Sequence, residues 1–280
     1  IYLNAVQKEY EQYYGNDIWK YAVDSNGNTM GELIKAQVLE QITYIKVVCK
    51  KADELAIVLS EEELLQVEEQ TKEYMAKIQG SDLLLHGVNA DIARRIYADN
   101  LLARKTFEVT TLNVNTDISN EEAAQSRFQS IAVRTYKIDA SGNKVFYEGE
   151  ELTKLLSRVE SLRTQALTTD NFYKLAEANT EDSAMLDFTG GVGDFPKEYE
   201  EQVLGLKAGQ LSEVIETTDY FYIFYCVTEF DEDATQAKKE EIILERQEEE
   251  FKRCYQEWKE QIAIEVNDEV WNALGFDTKE

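Results

Sequence analysis

Proline is almost missing from this 280-residue chain, occurring once as Pro196, and histidine also occurs once, at position 86. Cysteine occurs three times, as Cys49, Cys226 and Cys254. Three cysteines set in apolar patterns make no disulfide framework and read as small buried residues. No two share a metal-binding spacing and one histidine cannot complete a set, which argues against a zinc site. Basic residues are outnumbered, with 29 Lys and Arg against 55 Asp and Glu, for a net charge of −26. Such a charge repels phosphate backbones, so nucleic acid is a poor partner. It reads mainly as a well-solvated surface, with a bias toward basic segments of other chains. No uninterrupted apolar run approaches the ~20 residues of a membrane span. The chain starts at Ile1 rather than Met, which leaves room for a removed leader or lipid anchor upstream.

What is present is ample for real cores: apolar residues make up 43%, in a length that fits one large domain or two ordinary ones. Leu3, Val6, Tyr10 and Tyr13 predict a helix over Ile1–Tyr14. Gly15-Asn16-Asp17 and Ser25-Asn26-Gly27-Asn28 are turn signals. A long helix starts at about Thr29, with Val38, Ile42, Ile45, Cys49, Ala52 and Ala56 forming a seam against another helix. Ser60-Glu61-Glu62-Glu63 is a capping box ahead of a helix with Leu64, Val67, Tyr74 and Ile78 inward. His86 reads as a helix-end or loop residue. Asp91–Phe107 predicts one more helix. From Asp231 the chain is helical again, and Ala234–Ile264 has no proline or glycine to break it. Its stripe of Ile243, Phe251, Cys254, Trp258 and Ile262 needs a partner, which places Phe251–Trp258 against Ile42–Cys49.

The middle differs in character. Ser119-Asn120-Glu121-Glu122 caps a short helix, Phe128–Ile138 reads as a strand, and Ser141-Gly142-Asn143 as a turn inside a hairpin-like stretch to Glu150. Leu152–Leu167 and Asn171–Asn179 predict helices. Gly190, Gly191 and Gly193 mark backbone that needs φ > 0 or close approach. Pro196 reads as the start of a helix carrying Tyr199, Val203 and Leu204. Lys207–Gln210 reads as that helix's cap and turn, Ser212–Thr217 as a short strand, and Tyr220–Thr228 as a central strand apolar on both faces.

Gly190-Gly191-Val192-Gly193-x-Phe195, Leu206-Lys207-Ala208-Gly209-Gln210-Leu211-Ser212 and the Thr218-Asp219 turn together resemble the last third of a parvulin-type peptidyl-prolyl isomerase domain. The element order extends this resemblance over Ser119–Phe230. It implies an α+β fold, a small antiparallel sheet with surrounding helices, inserted into an all-α domain formed by both chain ends: residues 119–230 within 1–118 plus 231–280. That layout is similar to the foldases of the SurA and PrsA type. The resemblance implies export from the cytoplasm, often with a lipid anchor, and unfolded or proline-containing polypeptides as partners.

Prolyl isomerisation needs no cofactor; its barrier of ~18–20 kcal/mol comes from amide resonance lost as the C–N bond twists. Active parvulins carry two histidines that hydrogen-bond across the sheet beside a Cys or Asp. Here those histidine positions fall at Ser130 and at Tyr222, or Ile223 if the register slips by one. A Ser130–Tyr222 pair is expected to keep one cross-sheet hydrogen bond. Thr180-Glu181-Asp182 resembles the family's Ser-Glu-Asp, which puts Asp182 at the central acid, although an Asp there equally suits a turn cap. Val192, Phe195 and Tyr199 match the family's proline pocket, and each also suits a core position. The resulting expectation is an extracytoplasmic foldase or chaperone with weak or lost isomerase activity. The alternatives are an active isomerase using Asp182 and the aromatic pocket, and a non-catalytic surface lipoprotein module.

Overall fold

The computed structural model describes residues 1–78 and 88–276, so His86 lies outside the described residues. The chain divides into two compact units, Ile1–Val114 with Gln247–Glu280, and Asn115–Arg246. The first begins with α1 (Tyr2–Tyr14) and a 3-10 turn, Asn16–Lys20, that buries Trp19. The Trp19 indole N–H donates to Glu11 at 2.9 Å. Helix α2 (Met30–Glu54) starts at a full capping box between Thr29 and Glu32, and α3 (Glu61–Lys77) at another between Ser60 and Glu63. Each box satisfies amides that a helix start leaves unpaired. Asn89 caps α4 (Ala90–Thr110), which packs against α2 and α3.

The second unit opens with α5 (Asn120–Ala123), capped by Ser119. There follow β1 (Ser126–Arg134), β2 (Tyr136–Ile138), β3 (Lys144–Phe146), α6 (Gly149–Ala166), α7 (Phe172–Asn179), β4 (Asp187–Gly190), α8 (Glu200–Leu204), β5 (Ile215–Glu216) and β6 (Tyr220–Thr228). Four strands form one antiparallel sheet in the order β4-β1-β6-β5. Side chains alternate across a strand, and the two faces sort accordingly. Ile131, Val133, Phe221 and Ile223 pack with Val159 and Leu162 of α6 and with Phe172 and Ala176 of α7. Phe128, Ala132, Tyr222, Phe224 and Cys226 form the other face, closed by Phe195 and Val203. Burying each large side chain contributes roughly 1.5–3 kcal/mol, and this two-sided core holds the sheet as a scaffold.

Two local expectations change. The strand predicted over Phe128–Ile138 is two strands, because Thr135 turns its backbone to the β5–β6 connection. Its N–H donates to the Asp219 carbonyl at 3.0 Å, its hydroxyl donates to the Thr218 carbonyl, and its own carbonyl accepts from Tyr147 at 2.8 Å. Beyond it, β2 pairs with β3 in a separate hairpin, closed where Asp139 accepts the amides of Ser141 and Asn143. Pro196 does not start α8 either. Its carbonyl accepts from Tyr199 and Glu200, forming a turn, and Tyr199, at φ −137°, is still outside the helical region.

Helix α9 (Glu232–Gln261) runs across the division between the units, and α10 (Asp268–Ala273) follows. Up to Arg246 it is bound to the strand unit, where the Thr235 hydroxyl accepts the Gln125 amide and Arg246 pairs with Glu122 at 2.5 Å. Beyond Gln247 it completes the helical unit. Phe251 and Trp258 are buried with Val47 and Val48 of α2 and Ala103 of α4, and Phe276 stacks on Trp19 at 3.8 Å. Of the three cysteines only Cys226 is fully buried. Cys49 donates to the Asp99 carbonyl, and burial pushes its thiol up to about 11. Among the described residues no helix is long and apolar enough to cross a membrane.

Candidate functional site

The β1–β6 register decides which residues share a face. Ser130 lies opposite Phe224, Ala132 opposite Tyr222, and Ile131 opposite Ile223. Ser130 and Tyr222 therefore project from one face, while Ile223 is buried with α6 and α7 on the other. The expected Ser130–Tyr222 hydrogen bond is not formed. Ser130 is fully buried and its hydroxyl donates to the Met185 carbonyl at 2.6 Å. Tyr222 sits two pairs along the ladder, opposite Ala132, and the loop that replaces it as partner is fixed from below. The Glu181 N–H donates to the Ala132 carbonyl at 2.7 Å, and the Ala132 N–H to the Thr180 hydroxyl at 3.1 Å. These bonds hold Asp182, which caps the 3-10 turn Ser183–Met185 by accepting the Ala184 amide at 3.2 Å. Its charge still reaches Tyr220 and Tyr222.

The glycine cluster folds the next loop down hard. A Cβ on Gly190 would lie 2.8 Å from the Phe195 ring, and one on Gly191 would lie 2.2 Å from the Ala124 carbonyl oxygen. Gly193 takes φ +92°, a region that L side chains rarely enter. Phe195 ends only 7% exposed, with its ring edge-on to Phe128 and Phe224. It is a core residue under the site and not part of the lining. Val192 is 73% exposed at the loop tip, so it belongs neither to the core nor to the cavity beside it.

That cavity, about 560 Å³, has Tyr199, Tyr220 and Tyr222 as its wall, the Thr217-Thr218-Asp219 turn at one end, and Pro196, Glu198 and Glu216 at the rim. Of the residues singled out in the sequence, Tyr199 and Tyr222 line it; Ser130, Asp182, Val192 and Phe195 do not. Tyr220, Glu198 and Glu216 were missed. Period-two counting back from Tyr222 would have found Tyr220, while nothing in the local sequence brings Glu198 and Glu216 together. The rings run in a row: Tyr136–Tyr220 6.3 Å, Tyr220–Tyr222 5.4 Å, Tyr222–Tyr199 6.3 Å and Tyr199–Phe195 6.4 Å between centroids. The Tyr222 side chain is 8% exposed, and its hydroxyl has no hydrogen-bond partner among the described residues. Burial, then the neighbouring Tyr199 and Asp182, push its phenol well up, so it stays protonated at neutral pH. The helical unit holds further cavities, among them one larger than this and one smaller. One of about 690 Å³ is lined by Leu39, Ile42, Val47, Ile262, Ile264 and Trp271, and a second of about 420 Å³ by Leu3, Val38, Ile96 and Trp271 among others.

A family model for the PPIC-type PPIase domain, or rotamase, matches residues 146–229. The chain carries a PPIC-type rotamase domain. The matched stretch takes in α6 to β6, including the whole cavity, and begins after β1 and Ser130. Foldase protein PrsA of Clostridium botulinum is 20% identical over 285 residues, covering 94% of this chain and 82% of that protein. Foldase protein PrsA of Caldanaerobacter subterraneus subsp. tengcongensis is 23% identical over 215 residues, covering 75% and 61%. The crystal structure of the peptidylprolyl isomerase PrsA from Bacillus cereus aligns with TM-score 0.41 and 17% identity, over 95% of this chain and 89% of that one. The cavity presents an aromatic wall on which the Tyr199 and Tyr222 hydroxyls have no partner among the described residues, and no histidine lies in Asn115–Arg246.

Proposed function

We propose that this protein is an extracytoplasmic foldase or chaperone that holds unfolded polypeptides, and that its rotamase domain turns prolines over weakly or not at all. The observation that carries this reading is the occupant of the first histidine position: a buried Ser130 whose hydroxyl is spent on the Met185 carbonyl. With the second position taken by Tyr222, no described residue brings an imidazole to the cavity. Hydrogen-bond and acid–base tuning by such groups is commonly worth ~10²–10⁴-fold. What remains, Tyr199 and Tyr222 beside Asp182, suits holding an extended chain better than stabilising its twisted amide. Placement outside the cytoplasm, with a lipid anchor ahead of Ile1, belongs to the same proposal, and mass spectrometry of the mature N terminus from cells tests it.

The deciding measurement is turnover of a proline tetrapeptide, run alongside aggregation of a permanently unfolded client. Turnover at least ~10²-fold below that of a two-histidine parvulin, together with suppressed aggregation, is expected. Robust turnover that disappears in Asp182→Ala would replace this reading with an active isomerase. Neither turnover nor suppression would leave only a non-catalytic surface module.

A further inference from the structure

The cavity wall is unusual in carrying negative charge without a matching cation. Resting on the client-binding reading above, we propose that it takes the basic side chain of an extended client segment, with arginine preferred, between the faces of Tyr199, Tyr220 and Tyr222 and the carboxylates of Glu198 and Glu216.

Three observations support this. First, the same aromatic row already holds one cation at its far end. The Lys144 ammonium sits 4.5 Å from the Tyr136 ring centroid and pairs with Asp219 at 2.8 Å. A cation over a tyrosine face beside a carboxylate is therefore a geometry that this domain uses, and it is favourable because the ring quadrupole and the carboxylate act together. Second, the cations near the wall are committed elsewhere: Lys144 to Asp219, and Arg134 to the Glu181 carbonyl and toward the Tyr220 hydroxyl. Among the described residues Glu198 and Glu216 have no ion-pair partner, and both line the cavity. Third, the Tyr222 hydroxyl is an unpartnered polar group on a side chain more than nine-tenths buried, at the wall of the same cavity. The hydroxyl oxygen itself stays open to solvent, so a ligand donor there replaces a water and fixes the ligand's direction. A guanidinium supplies that donor, a flat face for the rings and a fork for the carboxylates. The chain's net charge of −26 steers basic segments toward the site from a distance.

The experiment titrates the full chain against a fluorescein-labelled Ala/Ser peptide with one central arginine, and against the same peptide with citrulline, which keeps the shape and loses the charge. Wild type is expected to bind the arginine peptide about tenfold tighter, and the ratio is expected to shrink in ~1 M salt, where charges are screened beyond about 3 Å. In the E198Q/E216Q variant the ratio should fall to about twofold, whereas E248Q/E249Q, which removes the same charge from α9, should keep it. Tyr222→Phe should weaken both peptides by about threefold, one hydrogen bond's worth. An equal loss in the two Gln variants would overturn the proposal in favour of diffuse attraction. Equal, saturable binding of both peptides would overturn it and leave client binding intact. No binding of either peptide by a chain that still holds an unfolded client would also overturn it, with binding located elsewhere. Loss of both peptide and client binding would overturn the client-binding reading itself.

Discussion

The two units handle apolar side chains differently. In Asn115–Arg246 the sheet register dictates each position, and Phe128, Phe188, Phe195 and Phe224 interlock in tilted and edge-to-face pairs with ring centroids 5.7–6.2 Å apart. Only the rim of that stack, at Tyr199, Tyr220 and Tyr222, opens to a cavity. In the helical unit the apolar stripes meet along helices, and space between them remains as cavities lined by Leu39, Ile42, Ile264 and Trp271. The lesson is one of division of labour. Strands fix side chains by backbone pairing and give a shaped site, whereas the helices here leave apolar cavities between their stripes.

The strongest way to break this comparison is a matched pair of truncations. Phe224→Ala and Phe251→Ala each remove a buried ring and should each cost about 3–5 kcal/mol. Trp19, Trp258 and Trp271 all lie in the helical unit, so tryptophan fluorescence follows that unit alone while far-UV circular dichroism follows both. Phe251→Ala should lower the fluorescence midpoint in denaturant, and Phe224→Ala should lower only the dichroism midpoint. A common shift in both signals for either variant would show one cooperative body. Next, Gly191→Ala drives a Cβ into backbone at Ala124 and should destabilise the strand unit by about 1–3 kcal/mol, again without moving the fluorescence midpoint.

The comparison sharpens in binding. If each unit supplies a contact surface, residues 115–246 alone should hold a labelled, permanently unfolded client at least about tenfold more weakly than the whole chain. Equal affinities would assign all binding to the strand unit. The smallest effect is electrostatic. Arg127 clamps Asp187 with bonds of 2.8 and 3.1 Å and Gln129 adds a third. The Arg127 bond, ahead of the opposing burial, holds the Asp187 carboxyl below its usual range. A folded pKa below the unfolded value of about 3.9 gives stability that is full above that pH and lost as pH falls through the folded value. Asp187→Asn should therefore cost up to about 1 kcal/mol near neutrality, and the deficit should vanish in acid. Urea titrations of both proteins at several pH values measure it.

Much of the architecture was legible because its signals are local. The Ser60 and Ser119 caps, the seam from Val38 to Ala52 and the stripe from Phe251 to Ile262 all follow from spacing of a few residues. The site was less legible because it is assembled by register. Whether Tyr222 or Ile223 faces the cavity depends on pairing with a strand some ninety residues away. Ser130 is captured by Met185, and Val192 is thrown outward by the Gly191–Gly193 bend, outcomes that no local pattern encodes. The break at Thr135 was hidden for the same reason, since its partners are the distant Thr218 and Asp219.

The discontinuity of the helical unit sets an order of events during synthesis. Val47, Val48 and Ala103 have left the ribosome long before Phe251 and Trp258 exist, yet the five form one cluster. Residues 115–246, by contrast, are contiguous and have every strand of their sheet in place once β6 has emerged. The strand unit is thus free to fold on a growing chain. The N-terminal helices, until residues 247–276 arrive, remain with their own apolar stripes uncovered. The newborn protein is for that interval in the state that it is proposed to recognise in others.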